Sequence, residues 1–426
     1  MSDLDAAGRT GFDDAVSADS AAETAELAER ARALDESDPL ATVRERFSLP
    51  PGVVYLDGNS LGALPSAVPG RVAEAISREW GQGLIASWWD AGWWDAPQRV
   101  GELIAPLLGA APGQVVVGDS TSVNVFRAVV AGWRLARQDD PGRTEIVVDD
   151  TTFPTDGYLA ASAGRLLGAR VRRAHPTDVH AFDERTAVAL MNHVDYRTGR
   201  RWDLPAVTAR AQQAGARIVW DLSHSAGALP VDLDRHGVDL AVGCGYKFLN
   251  GGPGAPSYLY VRSELHERLD QPLPGWSSHA EPFAMEPDYR PADGMARARG
   301  GTPEILSLLA LEAALGVWQG VEIDQVRVKS LALTGFFMDC VAALTAPGRF
   351  RVLTPRDDDR GSQVSLSAPD AAELLPRLAR AQVIGDHRPP DVLRFGFAPL
   401  YVGFADTLRA ARILAETAGG RAPAAG

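Results

Sequence analysis

Lysine is scarce in this chain. Of 42 lysines and arginines only Lys247 and Lys329 are lysines, and the other forty are arginines. Lys247 sits in GCGYKFLNGGPG, after an apolar run and before a glycine-rich loop, with Tyr246 preceding it. A lysine that only snorkels to water could be an arginine. A desolvated lysine amine can instead attack a carbonyl carbon and form an imine, which a guanidinium cannot. Asp221 lies 26 residues upstream in VWDLSHSAGALPVD, just after the apolar run Ile218–Trp220, with His224 three residues on. A strand-end acid there can neutralise a buried cation or simply hold a turn. In GDSTSVN, Gly118 to Asn124, a strand end runs into a helix start. Thr121 and Ser122 can cap that helix, and its free backbone N–H groups suit a phosphate; an ordinary N-cap is the alternative. WWDAGWWD offers Trp88, Trp89, Trp93 and Trp94 as a core or subunit-interface patch, with one ring free to stack on a planar substrate. Lys329, in VRVKSLAL, reads as a solvated helix position.

A phosphate-binding helix start, a strand-end acid and a lysine are the three elements that a pyridoxal 5'-phosphate (PLP) site needs. The first anchors the cofactor, the second keeps its ring nitrogen protonated, and the third holds its aldehyde. The surrounding pattern can position them. From about residue 70 to 270 short apolar runs (QVVVGDS, TEIVVDD, ARVRRA, AVALMNHV, ARIVWDLS, VDLAVGCGYK, APSYLYV) alternate with amphipathic helices. That pattern predicts an α/β fold whose mainly parallel sheet is covered on both faces, with ligands at the carboxyl ends of its strands. The expected divisions are a disordered acidic tail over 1–20, an N-terminal helix and loop segment over 21–69, and a large α/β domain over 70–302. A smaller α+β domain follows over 303–426. PSAVPGRVAEAISREWGQG is expected as a helix opened by Ser66.

Composition narrows the function classes. A net charge of −13 and a pI near 5.1 disfavour nucleic acid or anionic membrane as a partner. Two cysteines in 426 residues provide neither a disulfide framework nor a zinc cluster, so no metal is expected and a reducing cytoplasm is the default. The acidic N-terminal stretch does not read as a secretory signal, and no apolar run is long enough to span a membrane.

Several stretches together resemble the kynureninase family: YLDGNSLGALP, DSTSVNVFRA, FPTD, HVDYRTG, WDLSHSAGALPVDL, GCGYKFLNGGPGAPSYLYV, GWSSHAEPFAM, RGGTPEILSLLALEAAL, RGSQVSL and LRFGFAPLY. The resemblance runs from about Leu56 onward. It implies a fold-type I PLP enzyme with a seven-stranded-type sheet, acting as a homodimer with shared active sites. The reaction implied is hydrolytic cleavage of L-kynurenine to anthranilate and L-alanine. Lys247 would be the Schiff-base lysine, Asp221 the partner of the pyridinium nitrogen supported by Asp156, and Phe153 the residue stacked on the ring. Thr121 and Ser122 would bind phosphate, His224 would lie by the cofactor, and Tyr246 would donate the proton that completes alanine. Trp276 and Thr302 would reach the other subunit's cofactor. Arg394, with Ser60 and Asn59, would clamp the substrate carboxylate bidentately. Trp88 and Gly301-Thr302 match the bacterial, kynurenine-preferring type, with 3-hydroxykynurenine or another ring-substituted kynurenine as the alternative. A desulfurase reading is disfavoured because neither Cys244 nor Cys340 falls on a C-terminal loop.

Overall fold

Each apolar run of the middle third becomes a strand of one sheet. In the computed structural model, which describes residues 23–419, the strands after β1 (Val54–Tyr55) are β2 (Val115–Val117), β3 (Glu145–Asp149), β4 (Arg170–Ala174), β5 (Thr186–Asn192), β6 (Arg217–Asp221), β7 (Leu240–Cys244) and β8 (Ser257–Val261). The tail expected over 1–20 lies outside the described residues. Strands β2 to β8 form a seven-stranded sheet in the order β2-β8-β7-β6-β5-β3-β4, in which only β8 runs antiparallel to its neighbours. Strands β3, β5, β7 and β8 are buried at every position, as a sheet covered on both sides requires.

Alternation along these strands feeds two apolar cores, one on each face. Val147, Ala189, Ile218, Trp220 and Ala241 enter one core with Val100, Ile104, Leu204 and Leu308. Ile146, Val148, Val188, Leu190, Val219 and Val242 enter the other. That second face is roofed by two helices, α1 (Thr121–Asp139) and α2 (Pro154–Leu167), through Val125, Ala128, Val129, Ala160 and Ala163.

The C-terminal part is a four-stranded antiparallel sheet ordered β12-β13-β10-β9, built from β9 (Arg351–Val352), β10 (Gln363–Ser367), β12 (Asp386–Arg388) and β13 (Val392–Gly396). It packs with helices α3 (Ile323–Leu344), α4 (Ala371–Arg380) and α5 (Phe404–Ala418). Strand β11 (Val383–Ile384) pairs in parallel with β1, and Asp57 bridges to Gly396. These two joints fix the loop after β1, which carries GNSLG, onto the C-terminal sheet. The N-terminal helix over residues 23–36 lies on the same part, where the Asp35 carboxylate accepts from the Phe404 and Ala405 amides and caps α5 (2.7 and 2.9 Å).

Three expectations need correction. The helix expected from Ser66 begins at Val68, after an N-cap at Ala67, and continues past Glu74 as a π-helical stretch, Ala75–Gly83. Val68-Pro69 supplies the start, because proline is pre-organised for a first helical turn. The cap of α1 is Ser120, whose Oγ accepts from the Val123 amide (3.3 Å), not Thr121 or Ser122. Lys329 is not solvated: it is 6% exposed, and its Nζ lies 2.6 Å from Asp38 Oδ2.

Candidate active site

The carboxyl ends of β5, β6 and β7 open onto a cleft closed on the far side by the GNSLG loop and by β12 and β13. Asn59, Ser60, Thr121, Ser122, Phe153, Asp156, Asp221, His224, Tyr246, Lys247 and Arg394 line it together, although they span more than 330 residues of sequence. Trp88, Trp276, Gly301 and Thr302 do not line it. Gly301 and Thr302 face a neighbouring hollow beside Arg127 and Asp119. Trp88 is half-buried, edge-on to Trp93 at 5.9 Å.

Asp221 ends β6, and its Oδ1 accepts the Ser223 amide at 2.8 Å, so the turn that launches His224 also orients the carboxylate. Asp156, in the first turn of α2, is buried and accepts from Thr152 Oγ1 at 2.8 Å. Burial, with the Asp221 charge beside it, pushes the Asp156 carboxyl well above its ordinary range. Two adjacent carboxyl groups at this depth call for a shared proton or a cation between them.

Lys247 lies three residues beyond β7, with its Nζ 3.0 Å from His224 Nε2. Burial, and then the lysine charge, depress the His224 pKa well below that of a free imidazole. His224 is therefore neutral and accepts the lysine proton at Nε2. Its Nδ1 carries the remaining hydrogen, is buried, and has Gln363 as its side-chain neighbour. Tyr246 is held as a neutral phenol, because burial, with Cys244 alongside, raises its pKa. The Gly62 amide donates to the Tyr246 carbonyl at 2.8 Å, and a Cβ at Gly62 would sit 2.3 Å from the Lys247 carbonyl oxygen. Gly62→Ala is therefore expected to push the GNSLG loop off the lysine turn. It should cost about 1–3 kcal/mol of stability, read as a lower melting temperature.

Arg394 is fully buried on β13. Its Nε donates to Asp386 Oδ1 (2.7 Å), one Nη2 hydrogen goes to Asp386 Oδ2 and the other to Ser60 Oγ (3.3 Å), and Nη1 donates to the Tyr196 carbonyl. The bidentate face expected to clamp a substrate is thus already occupied by Asp386. Gln363, from RGSQVSL, donates to the same Tyr196 carbonyl at 3.0 Å, so that motif fixes the wall opposite Phe153, whose ring meets Tyr196 edge-on at 5.2 Å.

Asp57, Asn192, Tyr196, Asp386 and Arg388 were not singled out from the sequence. Burial, and then the Asp386 charge, raise the Asp57 pKa to about 7 against the opposing pull of Ser60, Arg394 and Arg388; Tyr55 and Tyr401 also lie within reach of its charge. Folded Asp57 thus keeps its proton from about pH 4 to 7 while the unfolded chain loses it, so stability falls across that window as pH rises. Asp57→Asn should flatten the fall, measured as melting temperature at pH 5 against pH 8.

The residues present fit PLP. The two adjacent buried carboxyls offer a seat for a protonated ring nitrogen, the start of α1 brings Thr121 and Ser122 to the same cleft, and the lysine amine lines it with them. Fold and site together define a fold-type I PLP-dependent enzyme. Solved structures with the same fold include a cysteine desulfurase of Escherichia coli (TM-score 0.75, 21% identity, covering 90% of this chain and 99% of that one). Another is a mutant of C-DES with glycine covalently linked to its PLP cofactor (TM-score 0.75, 17% identity, 87% and 98% covered). At those identities they speak for the fold alone. The model of the kynureninase C-terminal domain matches residues 326–414. Kynureninase of Burkholderia pseudomallei (strain 1106a) is 45% identical over 407 residues, covering 93% of this chain and 97% of its own. That of Deinococcus radiodurans is 48% identical over 386 residues, covering 89% and 93%. The chain belongs to the kynureninase family.

Proposed function

We propose that this protein hydrolyses the Cβ–Cγ bond of L-kynurenine, releasing anthranilate and L-alanine. The observation that carries the reading is the convergence, in one cleft, of Lys247, the Asp156–Asp221 pair and Arg394, in a chain 45–48% identical to kynureninases. Lys247 would hold the PLP aldehyde, Asp221 backed by Asp156 the ring nitrogen, Thr121 and Ser122 the phosphate, and Phe153 and His224 the ring. When bound, PLP supplies an electron sink that makes the substrate's Cα–H acidic and stabilises charge at Cβ.

The protein groups then divide the proton work. Lys247, freed when the substrate amine takes its place, is the base at Cα, and neutral His224 at 3.0 Å can accept a hydrogen bond from its ammonium form. Tyr246 keeps its proton through neutral pH and is the donor to Cβ. Asn59, Ser60 and Arg394 orient the α-carboxylate. Neither cysteine suits the persulfide chemistry of the desulfurase fold neighbours: both are buried, and burial raises both thiol pKa values.

The same reading makes the molecule a homodimer with composite sites. Trp89 is 59% exposed and stacks with Trp94 and Phe283, and Trp94 leads on to Trp276, leaving a contiguous aromatic face for a second copy. Trp276 and Thr302, absent from their own cleft, would complete the partner's, and Trp88 and Gly301 would border the substrate ring there. A cytoplasmic location belongs to the same proposal; among the described residues no single helix is long and apolar enough to cross a membrane.

Purified holoenzyme given L-kynurenine should release fluorescent anthranilate and alanine in equal amounts. PLP-loaded protein that yields none would overturn the reading. Running 3-hydroxykynurenine alongside tests the expected preference for the unsubstituted ring.

A further inference from the structure

The cleft holds a second guanidinium. Arg388, on β12, lines it alongside Arg394, and both reach the same carboxylate: Arg388 Nη2 lies 3.0 Å from Asp386 Oδ2, the oxygen that Arg394 Nη2 and Ser60 Oγ also use. The two arginines differ in what they have left to give. Of five N–H donors on Arg394, four are committed to Asp386, Ser60 and the Tyr196 carbonyl, which leaves one Nη1 hydrogen for any ligand. Arg388 is the reverse. Its side chain is 35% exposed, yet its Nε is buried and donates to nothing. Its exposed Nη groups, with only the Asp386 contact of Nη2 at 3.0 Å, are the hydrogens left for an anion in the cleft.

We infer that Arg388 is a second carboxylate-binding residue of this cleft. The substrate α-carboxylate takes one hydrogen bond from the exposed Nη edge of Arg388 and one from the remaining Nη1 hydrogen of Arg394. Asp386 acts as the strut that holds the two guanidinium groups together against their mutual repulsion. Charge supports the arrangement: two arginines against one Asp386 leave a local charge of +1 for a single carboxylate, provided that Asp57 keeps its proton. Asp57 does so below about pH 7, because burial, and then Asp386, hold its pKa there. Arg394 keeps its place as a contact, but as one of two single donors, not as a bidentate clamp.

This inference rests on the proposed reading of the cleft as a substrate site, and its test separates the two. The probes are 4-oxo-4-phenylbutanoate, the kynurenine skeleton without its amino groups, and the corresponding uncharged amide. Their dissociation constants on the PLP-loaded enzyme are measured by calorimetry, which needs no turnover. Arg388→Gln is expected to weaken binding of the acid about 10- to 30-fold and to leave the amide within about twofold. It should also raise KM for L-kynurenine more than it lowers kcat. Arg394→Gln is run in parallel. If Arg394→Gln weakens the acid and Arg388→Gln does not, the inference is overturned and the reading of the cleft stands. If neither variant separates acid from amide, both fall. Equal loss of acid and amide in Arg388→Gln would assign Arg388 a purely structural role and also overturn the inference. Should Arg388→Gln fail to fold, Arg388→Lys keeps the charge but loses the fork, and is expected to weaken the acid alone about 3- to 10-fold.

Discussion

Lys247→Arg should fold, keep its charge and lose its chemistry. The visible absorbance that PLP acquires on joining a lysine amine should be missing, and anthranilate release should drop about 10⁴-fold or more. The size of the effect follows from two functions resting on one nitrogen. That amine holds the cofactor aldehyde, and once displaced it removes the Cα proton. A guanidinium can do neither at neutral pH, because its nitrogen lone pairs are delocalised and its pKa lies far above the operating range. Geometry sharpens the expectation. His224 is neutral and 3.0 Å from Nζ, so an arginine at 247 would meet a hydrogen-bond acceptor in place and keep the positive charge that the site already holds, which is why the fold should survive. Lys247→Ala separates the remaining possibilities: a small alkyl amine added to it should restore part of the proton transfer, whereas it should do nothing for Lys247→Arg, where the space is filled. Wild-type rates in either variant would remove Lys247 from the reaction.

Lys247 is legible in the sequence and the buried pairing of Lys329 is not, and the contrast shows what a sequence can carry. An imine cannot be made by arginine, so the chemistry itself singles out a residue type, and the neighbouring motifs GDSTSVN and WDLSH place its partners at strand ends. Alternating apolar runs gave the strands of the parallel sheet for the same reason, since a sheet buried on both faces leaves little choice of residue. What stayed hidden depends on contacts across the chain. Asp386, Arg388 and Arg394 share a site because β12 and β13 pair antiparallel with Asp386 opposite Arg394, in a strand of three residues that has no periodic signal. Asp57 joins them through β1, a strand of two residues. The segment DHRPPDVLR, in which Asp386 and Arg394 lie eight residues apart across Pro389-Pro390, is a local signal that an acid and two arginines meet. Ser120 was passed over as the cap of α1 because Thr121 and Ser122 are capping types too, and only the extended backbone at Ser120 decides among the three.

For Lys329 the largest expected effect is on stability. Its ammonium and the Asp38 carboxylate are 6% and 3% exposed and 2.6 Å apart, and Asp38 Oδ1 also accepts the Leu40 amide at 2.9 Å. Burial lowers the Lys329 pKa even though Asp38, and behind it Asp35, oppose it, which marks a charge kept in place by its carboxylate neighbours. Removing one member of such a pair strands the other without water or counter-ion. Lys329→Met should therefore cost about 3–5 kcal/mol, read from denaturant midpoints. The pair ties the end of the N-terminal helix to α3, so the same variant should loosen the capping of α5 by Asp35, three residues away, and raise proteolysis near residue 38. Neither residue touches the cleft, so kcat and KM at 25 °C should hold. Asp38→Asn combined with Lys329→Met removes both charges and should recover most of the loss, because the expense lies in the uncompensated charge and not in the missing contact. If the double variant is as unstable as Lys329→Met, the ion pair is not what Lys329 contributes, and packing of its methylene stem would have to account for the whole effect.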